Sequence, residues 1–502
     1  MENKNPSNKP AVIREIKDNA PFSNYQIYSY ISAALSLFIM GLEFNLYSNF
    51  SIPLKSKLTL SNFESQLLET LIYLGFSFGS ITGGTMSNER TKILKYSPIF
   101  VLFFHIFMCI FLKEIPFIIF RILIGLSLGS YINISIIIFA EYRNIYFRGF
   151  NLIFIWFFYI LSSFIESLLI FIIMPNYEEK NLRILILALT IFIIPSTLFH
   201  FFYSYDSPRH LIFLGENHEG FEIIKNINKR TTISEDEKHE ITNDIFNNIA
   251  NKHVENKLRY LFSHNNEKTS VILIYLLFNI SFSYIGLQNL TALTKKSIYG
   301  ELPDTNKKIV TNQFIINLIC CIGVIPCSFI SEINKFGRKG LMVICFSFTC
   351  ILSLISIFIT SLYDFLIGCC LTFSLTSFAV TYSYIIEFYC MRIRDLAFGF
   401  LIMIFMLFCI LSNVILYFLH NKHYKIPYYF ISLLSLIASF LSFILPYETG
   451  NKPLDILYMT GYDDGYTDLK SNSNTPSGEG SEDESTPISG SKNSEDNDLI
   501  KK

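Results

Sequence analysis

Residues 141–149 read EYRNIYFRG, and residues 387–394 read EFYCMRIR. In each stretch a glutamate stands seven residues before an arginine, Glu141 before Arg148 and Glu387 before Arg394. The two copies are 387 − 141 = 246 residues apart. A second pair of segments keeps the same spacing. Asn88 lies four residues before Lys92, Asn334 lies four before Arg338, and 334 − 88 is again 246. Charged residues that merely cap helix ends would share no offset, so the chain reads as a duplicated unit.

The unit that is duplicated is apolar. Of 502 residues, 51% are hydrophobic and 16% charged, against about 25% charged in a soluble domain. A membrane-spanning helix needs about 20 mostly apolar residues. Twelve such runs are expected, at 26–47, 66–87, 96–112, 115–139, 150–173, 183–203, 270–293, 309–331, 340–360, 363–388, 396–418 and 427–446. The first lies too deep in the chain and is too long for a cleaved signal peptide. The reading is an all-α membrane protein of two pseudo-symmetric six-helix bundles, 26–203 and 270–446. A site between parallel halves near mid-membrane is how many secondary transporters are built.

Around the bundles lie a polar N-terminal tail (1–25), a charged linker (204–269) and a C-terminal tail (447–502). The tail beyond 455 is rich in Ser, Asn, Asp, Glu and Gly and is expected to be disordered. In the linker, Ser234 and Glu237 form a capping-box pattern. Ile241, Ile245 and Ile249 then recur at helical spacing. Lys and Arg in the short loops number ten on one side and eleven on the other, so they set no orientation.

Several function classes drop out. The formal net charge is −1, which recommends no nucleic-acid partner. The ten cysteines sit in or beside apolar runs without a CxxC pair, and read as small hydrophobes rather than disulfides or metal ligands. The nine His are scattered and form no HExxH, so the chain does not read as an enzyme. Neither a metal nor a cofactor is expected.

Five motifs, in order and at span ends, resemble those of the major facilitator superfamily over residues 25–456. Within it the chain is similar to the group of sugar porters, organic cation/anion transporters and synaptic-vesicle-protein-like carriers. RILIGLSLG (121–129) matches R-x-x-x-G-x-x-x-G, and EYRNIYFRG matches E-x-x-P-x-x-x-R-G with Asn144 at the proline position. SPRHL (207–211), preceded by Asp206, is similar to E-S-P-R-W-L; NKFGRKGL (334–341) resembles D-r-x-G-R-R with Asn for Asp. PYETGNKPL (446–454) resembles P-E-T-x-G-x-x-L with one residue inserted. FSYIG (282–286) is similar to organic-ion and nicotinate-type carriers rather than to sugar porters, which carry a paired Gln in the seventh span.

Ionisable residues inside lipid spans are functional by default. Arg121 is the one deep cation; Glu43, Glu69 and Glu166 are the acids. At about 1.5 Å per residue, Glu43 lies roughly 6 Å and Arg121 roughly 9 Å from the outer span ends, so the two are expected to pair. The resemblance implies that such a pair couples transport to protons; a purely structural ion pair is the competing reading. Glu166 is a further candidate for the proton site. Glu69, a few residues into its span, is expected at the interface.

Polar and aromatic residues on inward faces are candidates for the substrate cavity: Asn279, Tyr284, Gln288 and Asn289 in the seventh span, Thr372, Thr376, Thr381, Tyr382 and Tyr384 in the tenth, and Asn413 in the eleventh. A cytosolic gate is expected from Asn88, Arg90, Lys92, Glu141, Arg148, Asp206, Arg209, Asn334, Arg338, Lys339, Glu387 and Arg394, since a bistable ion-pair network is what alternating access requires.

The resulting expectation is a secondary carrier of a small organic ion or vitamin-like metabolite, proton-coupled, monomeric, in the lipid bilayer of the plasma membrane by default. A sugar or polyol carrier is the alternative, followed by drug export. A non-transporting sensor on the same fold is the alternative of another class.

Overall fold

The computed structural model describes residues 23–454, apart from 144–146, 175–180, 230–231, 240, 243–257, 259–260, 264–265, 300–304, 334–336, 451 and 453. They belong to one compact unit, Met1–Met459. Its N-terminal half holds α1 (Asn24–Leu58), α2 (Asn62–Thr85), α3 (Arg90–Ile110), α4 (Glu114–Glu141), α5 (Arg148–Ile173) and α6 (Leu182–Tyr203). Two short linker helices follow, α7 (Pro208–Phe213) and α8 (Asn217–Ile227). The seventh span, α9, runs as Glu267–Ile280, a π-helical turn Ser281–Gly286, and Leu287–Tyr299. Then come α10 (Thr305–Ile330), α11 (Gly337–Phe358), α12 (Tyr363–Phe388), α13 (Met391–Lys422) and α14 (Ile426–Ile444).

Among the described residues these make twelve long helices, and eleven are long and apolar enough to cross a membrane. The exception is α2, which carries Glu64, Glu69 and a run of Ser, Thr and Gly. Its packing explains the polarity. A methyl group at Gly79 would overlap the carbonyl oxygen of Leu126 on α4, and one at Gly125 on α4 would overlap that of Ile72 on α2. On another side, a methyl at Gly399 of α13 would overlap the carbonyl oxygen of Ser80. Small residues let the backbones approach this closely, and α2 is shielded by helices rather than by lipid.

Within the first half, α1 packs on α4, α5 and α6, and α3 packs on α4 and α6. Between halves, α2 meets α13 and α5 meets α10. Those are the second span with the eleventh and the fifth with the eighth, the two contacts a six-span duplication interchanges. Outward faces stay apolar: Phe358, Phe440 and Phe443 are exposed, as a helix bounded by lipid requires.

In the linker, the Ser234 hydroxyl accepts from the Glu237 amide at 3.3 Å. Ile241 is buried in a small cluster with Ile212, Ile224 and Met391. Ile245, Ile249 and the tail 455–502 lie outside the described residues.

Candidate functional site

Two charged assemblies occupy the unit, one between the halves at the end facing the linker and one buried deeper. The deeper one begins with local helix arithmetic. Glu69 and Arg121 each lie seven residues from the starts of α2 and α4, and Glu166 lies seven from the end of α5. Those termini are at the end away from the linker, so the three form one layer at roughly 10 Å depth. All are essentially fully buried. Glu69 is therefore not interfacial; α2 starts at Asn62, four residues earlier than the apolar run suggested, which places Glu69 about two turns into the helix.

Arg121 is paired on one side only. Its Nη1 donates to the Glu43 carboxylate at 3.2 Å and to the Glu43 carbonyl at 2.9 Å. Nε and Nη2 have no hydrogen-bond partner, and neither has Oε1 of Glu69. Glu43, Glu69 and Glu166 all lie within electrostatic reach of Arg121. The second oxygen of Glu43 faces His105 of α3, with Nδ1 2.5 Å away. His105 was absent from the sequence-based candidates: a lone His in an apolar span carries no spacing signal, although its ionisable ring inside a span is a signal in itself.

The cavity candidates fall into two sets. Gln288 donates across the halves to Asn45 of α1 at 2.6 Å, and Asn289 donates to Asn413 at 3.1 Å. Tyr284 brings its ring within 6.1 Å of the Tyr159 ring of α5. Tyr382 is wedged against Trp156 and Phe378, and its hydroxyl has no partner. The remaining candidates make other bonds. Asn279 accepts from Ser435 of the peripheral α14, and Tyr384 donates to the Tyr447 carbonyl near the linker end. Thr372, Thr376 and Thr381 donate to carbonyls four residues back in their own helix, the usual fate of a helical hydroxyl.

At the linker end the duplicated motifs interlock. Glu141 bonds Arg394 at 2.8 Å, and Arg148 bonds Glu387 at 2.8 Å. Each glutamate thus takes the arginine of the other copy, so both pairs cross between halves. Arg90 adds a third crossing, a two-pronged bond to Asp395 at 2.9 and 2.6 Å, while also meeting Glu141 at 3.0 Å and Asp206 at 3.3 Å. Arg338 meets Glu387 at 3.4 Å within its own half. A side chain on Gly149 would displace the Arg338 guanidinium, which gives the glycine of the R-G motif its reason.

The other motifs supply anchors. The Ser207 hydroxyl donates to Glu141, and Tyr142 donates to the Asp206 carbonyl at 2.6 Å. Thr449 donates to Glu387 at 2.6 Å. Glu448 accepts from the Arg338 and Lys339 amides at 2.7 and 3.0 Å, at the start of α11, where a carboxylate suits the helix dipole. Glu332 accepts from the Phe150 amide of the opposite half at 2.6 Å; burial pushes its carboxyl above the ordinary value and that bond pulls against the rise.

Some gate expectations are corrected. Lys92 is exposed and pairs with Glu89 at 2.7 Å, and Asn88 is exposed. The guanidinium that matches Arg338 in position comes from Arg90, two residues earlier, because α3 starts there directly after the short turn Ser87–Glu89. Arg209 is half-buried at the start of α7. Asn334 lies outside the described residues. Asp395 is the residue missed; its repeat counterpart is Gly149, so the offset concealed it.

The comparisons with known proteins agree with this architecture. A family model described as the Major Facilitator Superfamily matches residues 33–375. The chain is 22% identical over 359 residues to the synaptic vesicle 2-related protein of Xenopus laevis, covering 68% of this chain and 63% of that protein. The Rattus norvegicus protein of the same name is 21% identical with the same coverage. The chain thus spans less than two thirds of the length of these relatives. Among solved structures, a proton:xylose symporter, XylE, bound to 6-bromo-6-deoxy-D-glucose superposes with a TM-score of 0.70 at 16% identity, covering 87% of this chain and 99% of that one. XylE from E. coli in a partially occluded inward-open conformation gives 0.61 at 17% identity, covering 86% and 100%. This multi-pass membrane protein belongs to the Major Facilitator Superfamily, a family of transporters rather than enzymes.

Proposed function

We propose that this chain is a proton-coupled carrier of a small organic anion, working by alternating access between its two halves. The observation that supports this best is the one-sided pairing of Arg121. A fully buried guanidinium with Nε and Nη2 unbonded leaves costly donors open, and a carboxylate is the group that fills such a fork best. A solute carboxylate arriving there competes with Glu43 for the arginine. Glu43, losing its counter-charge in a buried layer, then favours its protonated form. Solute and proton are thereby bound together, and their combined charge is neutral. Gln288, Asn289, Tyr284 and Tyr382 are the residues of the second half assigned to the solute. Asn45 joins them through its bond to Gln288.

A sugar or polyol is the second reading. It is favoured by the unbonded Glu69 oxygen, since a hydroxyl can donate to Glu69 and accept from Arg121 together. Uptake into proteoliposomes decides, using radiolabelled monocarboxylates, amines and hexoses with and without an inward proton gradient. The expected result is accumulation of a carboxylate only when the gradient is present. Equilibration of a hexose at the same rate with or without the gradient would overturn the reading.

A further inference from the structure

We propose that the transported proton is held jointly by His105 and Glu43, with the imidazole as the residue that sets when it leaves. The inference rests on the proton-coupled reading above and deepens it. It starts from which ring nitrogen carries hydrogen. Nε2 of His105 lies 3.1 Å from the Ile186 carbonyl of α6. A carbonyl only accepts, so Nε2 is the N–H. Nδ1 then faces Oε1 of Glu43 at 2.5 Å. With a lone pair on each atom and nothing between, that approach would be repulsive. One proton must lie between them, either on Nδ1 as imidazolium and carboxylate or on Oε1 as imidazole and carboxylic acid.

Moving between these two arrangements needs only a proton shift along one hydrogen bond. Removing the proton leaves two lone pairs opposed and breaks the tie between α3 and α1. The surroundings bias the choice. Arg121 of α4 holds the other oxygen of Glu43 at 3.2 Å. Tyr131 of α4 lies within electrostatic reach of Glu43, and Glu69 of α2 and Glu166 of α5 within reach of Arg121. On the α6 side, Thr190 donates to the same Ile186 carbonyl at 3.4 Å. The exposed Arg183 receives the Cys109 thiol of α3 on its own carbonyl. A solute that takes Arg121 from Glu43 therefore acts directly on a proton that His105 shares. Groups coupled this tightly titrate as a pair rather than singly.

The test uses the full-length protein in lipid vesicles, with the proton as the only probe. Infrared difference spectra across pH steps follow the protonated carboxyl band, assigned to Glu43 by its loss in Glu43→Gln. Ring-15N histidine labelling follows the imidazole, assigned through His105→Gln. The expected result is that carboxyl and imidazole signals of the wild type change at the same midpoints, and that His105→Gln moves the Glu43 midpoint by more than about one pH unit, a tenfold change in proton affinity. A Glu43 midpoint in His105→Gln within a few tenths of the wild type would overturn the proposal. So would imidazole and carboxyl signals that titrate independently in the wild type, a comparison that needs no folded variant. If the shared titration is found but no gradient-driven uptake is, the dyad stands and the coupled-carrier reading falls.

Discussion

Glu141→Ala is expected to open the linker end of the protein. Glu141 is bonded to Arg394 of the opposite half and to Arg90 of its own, at 2.8 and 3.0 Å, with all three side chains fully buried. Removing one partner of a buried pair strands the other charge and costs about 3–5 kcal/mol. Here one deletion weakens two guanidinium groups, while the second crossing, Arg148 with Glu387, stays in place. Even 3 kcal/mol is more than a hundredfold in an equilibrium constant. A closed majority would become a minority. Spin labels on the exposed positions 92 of α3 and 333 after α10 give the distance between halves at this end. The expected distribution shifts to longer distances in Glu141→Ala, and the same shift is expected for Arg394→Ala. A distribution unchanged in both variants would mean that apolar packing of α2 on α13, rather than the reciprocal ion pairs, closes this end.

The second large effect is expected at Arg121. Arg121→Leu removes the guanidinium from a layer that contains Glu43, Glu69 and Glu166. It also removes both guanidinium donors assigned to the solute, Nε and Nη2. Hydrogen bonds to charged groups are worth about 1.5–3 kcal/mol each, so losing two should lower solute affinity by a hundredfold or more. Arg121→Lys should not restore it, because an ammonium offers no planar fork and sits on a differently shaped stem. The check is the initial uptake rate of the accumulated carboxylate, with elution from a sizing column as the control for folding. Retention of half the wild-type rate in Arg121→Leu would remove Arg121 from the binding site.

How far these features were legible follows from how local they are. The twelve spans and the duplication rest on contiguous hydrophobicity and a fixed offset, which survive in any sequence of this kind. The pairing of Glu43 with Arg121 was also readable, because depth along a helix is a matter of counting residues. Contacts set by rotation about helix axes were not. The hydroxyls of Thr376 and Thr381 bond to their own backbone, and Asn279 accepts from Ser435 of α14. His105 reaches Glu43 only because α3 and α1 meet in space. The gate shows a further limit. The offset aligned Lys92 with Arg338, yet a helix start two residues early gives the role to Arg90. The interlocked pairing of Glu141 with Arg394 and Arg148 with Glu387 could be guessed as a network from sequence, but the exchange between copies needs the pseudo-symmetric packing of the halves.

The most direct test of the central claim, that Glu43 couples solute movement to a proton, separates exchange from accumulation in one variant. Glu43→Gln keeps the shape of the side chain but holds no titratable proton. In proteoliposomes it should retain counterflow exchange of the carboxylate at rates near the wild type, while losing gradient-driven accumulation. Accumulation that persists in Glu43→Gln would contradict the account and place the coupling elsewhere in the protein.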